Sequence, residues 1–131
     1  MYLHADNIDE YIELSYDSEL LRKVIQIISS CFPKESPRYF DNGRTFSGIA
    51  FGKNPIPTAD YEEAGLINIA SQKSNISIYF YQFVNGENVF DDYVSRFPKS
   101  SVGKGCLRIK NVDFLEKHNE ALASAIQSLD K

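Results

Sequence analysis

Between residues 66 and 83 the chain alternates apolar and polar side chains. In an extended strand Ile76, Ile78 and Phe80 share one face, and Asn75, Ser77, Tyr79, Tyr81 and Phe83 share the other. Lys73-Ser74 interrupts the pattern, so 66–71 and 76–83 read as the two strands of a hairpin. A hairpin with one apolar face needs a cover. The sequence supplies one in Leu20, Leu21, Val24, Ile25, Ile27, Ile28, Cys31 and Phe32, a wide helical stripe. Asp17 or Ser18 caps this helix and Pro33 ends it.

The other segments fit the same plan. Ile8, Tyr11, Ile12 and Tyr16 predict a short helix over 6–16. Asp41-Asn42-Gly43 predicts a turn, 44–53 a strand, and 54–63, with Pro55 and Pro57, a surface excursion. Asn88 caps a third helix that turns Val89, Phe90, Tyr93, Val94 and Phe97 inward and stops at Pro98. A glycine loop then leads into a strand over 106–110. Asp113 and Glu116 have capping-box spacing and open a last helix along Phe114, Leu115, His118, Leu122, Ala125, Ile126 and Leu129. Strands in a run, with helices at both ends and one between, predict an α+β fold of two layers, an antiparallel sheet covered by helices on one face.

The chain has 131 residues, which predicts one domain over 1–131. Nine Phe and eight Tyr argue against disorder, and a net charge of -4 disfavours nucleic acid as a partner. Cys31 and Cys106 both lie in apolar patterns and read as buried thiols, which implies a reducing, cytoplasmic setting. Residues 1–10 have no basic region followed by an apolar run, so no signal peptide is read there, and no apolar run reaches membrane-spanning length.

Two stretches invite a functional reading. The first is Ser100 to Lys110, where Gly103-Lys104-Gly105 lies among Arg96, Lys99, Arg108 and Lys110. A glycine nest and a lysine are suited to an anion, but the pattern is not a P-loop, because Pro98 and Gly105 stand where that motif needs Gly and Ser or Thr. The plainer alternative is a turn into a strand with positive φ at Gly103 or Gly105 and solvated lysines. The candidate ligand-binding set is Arg44, Tyr79, Gly103, Lys104, Gly105 and Arg108. Tyr39, Tyr61, Tyr79 and Tyr81 are candidates to line a pocket or an interface. The second stretch is the acidic stripe Asp6, Asp9, Glu10, Glu13 and Asp17, a candidate surface for hard cations, or simply a solvated helix face. No Ser-His-Asp order or nucleophile elbow appears, and His118 falls on an apolar face, so no enzyme is expected.

The segment Lys99-Ser100-Ser101-Val102-Gly103-Lys104-Gly105-Cys106-Leu107-Arg108-Ile109 resembles the YdhG-like family, a bacterial group of unknown function. Asn42-Gly43-Arg44-Thr45-Phe46, 67–73 and Ile76-Ser77-Ile78-Tyr79 add to the likeness, which covers roughly 8–129. Pro37-Arg38-Tyr39-Phe40-Asp41 stands where many members carry a Tyr-Gly-Met-Pro-like run. The resemblance implies a secretion-chaperone-like fold with a five-stranded antiparallel sheet, no established reaction, and in part of the family a frataxin-like handling of iron. The expectation is a small cytoplasmic binding protein. It would carry iron, held weakly, or another small ligand, or hand it to a protein partner, with no resident cofactor. The alternative is a protein-interaction module without ligand or catalysis.

Overall fold

The computed structural model describes residues 2–131, and its centre is a six-stranded antiparallel sheet. Helices α1 (Ile8–Leu14) and α2 (Ser18–Cys31) come first. Strands β1 (Arg38–Asp41), β2 (Ser47–Phe51), β3 (Ile67–Ser71) and β4 (Ile76–Phe80) follow as a meander. A separate ribbon of β5 (Phe83–Val84) and β6 (Glu87–Asn88) leads into a 3-10 helix, Val89–Arg96. Strands β7 (Val102–Gly103) and β8 (Cys106–Ile109) complete the sheet in the spatial order β1-β2-β3-β4-β8-β7, and α3 (Val112–Gln127) ends the chain.

The register gives the two faces their different character. Ile49 pairs with Ile69, Ile69 with Ile78, and Ile78 with Leu107, which places a continuous apolar line on one face. That face is buried with Leu20, Leu21, Val24 and Ile28 of α2 and Leu115, Leu122 and Ile126 of α3 in one core. The fully buried Tyr11 of α1 ties the layers together, donating to the Ser47 carbonyl at 3.1 Å and accepting from the Ser71 N–H at 2.8 Å. Phe40, Ala50 and Ala64 belong to a second, smaller cluster on the opposite face.

The sheet has six strands where five were expected. The difference lies in the glycine loop, which is itself a hairpin. Val102 pairs with Leu107 and Gly103 with Cys106, around Lys104-Gly105, and Gly105 alone of the two flanking glycines takes a positive φ, +68°. The strand expected over 44–53 begins only at Ser47, because Asn42 Oδ1 accepts the N–H groups of Arg44, Thr45 and Phe46 and winds them into the turn. The strand expected to run to residue 83 ends at Phe80, and Asn85-Gly86, with φ of 54° and 81°, folds the next residues into the ribbon.

The third helix is 3-10 in winding. Its ends are anchored, Phe90 face to face on Phe80 with centroids 4.2 Å apart, and Phe97 against His118. A rise of about 2.0 Å per residue, against 1.5 Å in an α-helix, suits a short segment held at both ends. Asn111, not Asp113, caps α3, accepting the Phe114 N–H at 2.8 Å. The first helix is shorter than 6–16 because Asn7 caps it and it ends at Leu14.

Candidate functional site

Asn68 of β3 and Tyr79 of β4 are paired and stand on the face turned away from the helical core, in line with Ala50 and Cys106. The excursion after β2 folds back over part of this face. Arg38 holds its return, donating to the carbonyls of Gly52 at 2.8 Å and of Glu63 and Ala64 at 3.1 Å. Buried Asn54 donates to the Tyr61 carbonyl at 2.7 Å and holds the backbone from which that ring projects. Phe46, leaving the Asn42 turn, lies against Tyr61 and Tyr79, with centroids 6.0 and 5.9 Å away and near-perpendicular planes.

These rings enclose an open cavity of about 280 Å³, walled by Phe46, Tyr61, Tyr79 and Tyr81 and floored by Ala64 and Asn68. The floor amide is already committed, since Asn68 accepts the Gly65 N–H at 2.8 Å and donates to the Gly65 carbonyl at 2.9 Å. Recognition in the groove therefore falls to ring faces and phenol hydroxyls. The Tyr79 hydroxyl accepts from Gln72 at 3.2 Å.

Of the six residues expected to bind a ligand, Tyr79 alone lines this groove. Arg44 sits in the turn before β2, paired with Asp60. Gly103 and Gly105 serve the β7–β8 hairpin: a Cβ on Gly103 would stand 2.7 Å from the Arg108 guanidinium, and one on Gly105 2.6 Å from the Asn88 amide. Arg108 donates to the Val102 carbonyl at 3.3 Å across the same hairpin, and Lys104 is exposed at its turn. Tyr61 and Tyr81 meet Tyr79 in the groove, but Tyr39 pairs with Ile49 on the helical face and packs against Tyr11, centroids 5.7 Å apart.

The acidic stripe is divided among separate tasks. Asp17 caps α2 through the Leu20 N–H at 3.1 Å, Glu10 accepts the Asp6 N–H at 3.1 Å, and Asp6 lies 3.8 Å from His4, while Asp9 and Glu13 are exposed. Among the described residues no three His, Cys, Asp or Glu side chains gather closely enough to hold a metal ion.

A cluster that sequence reasoning missed surrounds Asp41. Its carboxylate accepts from Tyr2 at 2.5 Å, from the Gly43 N–H at 2.7 Å and from Tyr39 at 2.9 Å, and lies 2.9 Å from His4 Nδ1. Tyr39 in turn accepts the Ala5 N–H at 3.0 Å, and Ser47 donates to the Leu3 carbonyl, so the cluster straps residues 2–5 onto the sheet. Burial alone would push the Asp41 carboxyl up; the hydrogen bonds from Tyr2, Gly43, His4 and Tyr39 outweigh it and bring it down to about 2. Burial, opposed by the Ala5 N–H and reinforced by Asp41, pushes Tyr39 up to about 12. A depressed carboxylate stabilises the fold above its unfolded value of about 3.9, and the contribution is lost as pH falls through about 2. Asp41→Asn is therefore expected to lower stability at pH 6 and to match the parent near pH 2. Urea titrations at both pH values check this, and an undiminished difference at pH 2 refutes it.

Compared with protein-family models, with curated proteins and with solved structures, the chain matches none.

Proposed function

We propose that this chain is a small, non-enzymatic binding protein whose aromatic groove takes an apolar, flat-ringed group of a small ligand. The observation that carries this reading is the set of four rings around an open cavity of about 280 Å³ whose floor amide is already satisfied. Such a site offers stacking and edge contacts and little polar readout, and its size is near the lower end for small-ligand pockets. No carboxylate, imidazole or thiol is among its lining residues, which favours binding over catalysis. Buried, unpaired Cys31 and Cys106 support a cytoplasmic setting. No helix among the described residues is long and apolar enough to cross a membrane. Kinship with the YdhG-like group remains part of the proposal on the strength of the Lys99–Ile109 segment, and the iron role it implies has no gathered carboxylates behind it.

Chemical-shift mapping with a panel of one- and two-ring aromatic compounds tests the reading. Saturable shifts at Phe46, Tyr61, Tyr79 and Tyr81 are expected. Tyr79→Ala is expected to weaken binding about tenfold, some 1.4 kcal/mol. Shifts scattered over the surface, or none, would sink it.

A second reading, a protein-interaction module, draws on the ribbon beside the groove. Phe83 and Val84 are 40% and 60% exposed there, and Phe83 stands edge-on to Tyr81 with centroids 5.5 Å apart. The ribbon does not line the groove, so Val84→Ser, at the more exposed position, should leave small-molecule binding unchanged if the first reading holds.

A further inference from the structure

A second cavity, of about 460 Å³, lies where the β3–β4 turn, the end of β8 and the first turns of α3 meet. None of the groove's lining residues lines it. Arg108 on β8, Lys110 just after it and Lys117 on α3 all face this cleft, and Asp113 is its only acid. None of the three cations makes an ion pair with another described residue. Arg108 is exposed; one terminal nitrogen donates to the Val102 carbonyl at 3.3 Å and the other lies beside Gly103, so part of its guanidinium is already placed and its remaining N–H groups are open to an incoming group. This concentration stands out in a chain of net charge -4, where acids outnumber bases by 18 to 14. Three neighbouring cations with one counter-charge repel one another, and a dianion placed between them relieves that repulsion.

We propose that this cleft binds a phosphate group, carried by a small molecule or free in solution. Arg108 offers its remaining guanidinium N–H groups to the phosphate oxygens, while Lys110 and Lys117 act as point charges. The neutral donors Ser74, Asn75 and Ser100 border the same space. At the start of α3 Asn111 already accepts the Phe114 N–H. Phe114 and His118, with ring centroids 4.5 Å apart, line one side of the cleft and offer ring surface to an organic remainder. Burial and then the Lys117 ammonium lower the His118 pKa, which favours the neutral ring in the free protein.

Titration of the full chain with inorganic phosphate, adenosine 5′-monophosphate and adenosine, followed by amide chemical shifts at constant ionic strength set with sodium chloride, tests the proposal. Both phosphates are expected to shift signals from residues 108–118 saturably, and adenosine is expected to leave them unmoved. A tighter response to the monophosphate identifies a small-molecule ester as the natural ligand, and an equal response identifies free phosphate. The double variant Lys110→Gln, Lys117→Gln is expected to weaken phosphate binding at least tenfold with the melting temperature unchanged or raised, since both side chains are exposed and their mutual repulsion is relieved. Arg108→Gln is a second variant, read alongside its own unfolding curve. Shifts that sodium chloride alone reproduces, shifts spread equally over Lys53, Lys73 and Lys104, or tighter binding of a single-stranded oligonucleotide or an acidic peptide would overturn it.

Discussion

Gly48→Ala is expected to abolish folding or to lower stability by roughly 4 kcal/mol or more, an effect at the extreme for single substitutions. Gly48 lies inside β2, opposite Phe40. A Cβ built there would stand 2.2 Å from the Ile69 carbonyl oxygen, a backbone atom of the neighbouring central strand. No rotamer change relieves that contact, so β2 and β3 would have to separate. Their register carries the line of isoleucines on which the helices pack. Gly43→Ala is the matched control. Gly43 has φ +80° and nothing within 4 Å of its added Cβ, so only backbone strain of about 1 kcal/mol is expected. Thermal and urea unfolding of the two variants checks the contrast, and a Gly48 variant that melts with the parent would overturn the close-approach argument.

Gly105→Val is expected to cost about 3 kcal/mol, while Lys104→Ala beside it stays within about 0.5 kcal/mol. Positive φ at Gly105 is strongly unfavourable for a β-branched residue. The new Cβ would also press on the Asn88 amide, which donates to the Phe80 carbonyl at 2.9 Å and accepts the Phe90 N–H at 2.9 Å. Displacing Asn88 removes a cap worth about 1 kcal/mol and loosens Phe90 from its stack on Phe80. If the glycine pair acted chiefly on a ligand, the two substitutions would show the reverse order of effects on binding and little difference in unfolding. Equilibrium unfolding of both variants separates these outcomes.

The elements most readily visible in the sequence were those with their own period. The hairpin over 66–83 appears as β3 and β4 with Ile69 opposite Ile78, and the stripe from Leu20 to Cys31 is the inner side of α2, capped at Asp17 and ended before Pro33. The period-two pattern also placed Tyr79 correctly on the outer face. What escaped was set by contacts between distant segments. Tyr39 follows the β1 register onto the helical face, a choice that Phe40 beside it does not announce. Asp41 meets Tyr2 and His4 across 39 and 37 residues, with no local pattern to mark the encounter. Arg108, Lys110 and Lys117 converge only because α3 turns back beside β8. Asn85-Gly86 is different, since it carries a hairpin signal in plain view that the longer strand pattern overrode.

The two ends of the sheet bear on how the protein behaves at high concentration. An unpaired strand edge is a template for another chain, and its danger grows with its length and flatness. Here the terminal strands are β1, four residues long, and β7, only two, so each end offers few backbone groups for a foreign strand to extend. The longer strands β2, β3 and β4 are all interior. This sheet therefore offers little for edge-to-edge growth, and the surfaces left for association are the open groove of Phe46, Tyr61, Tyr79 and Tyr81 and the ribbon that exposes Phe83 and Val84.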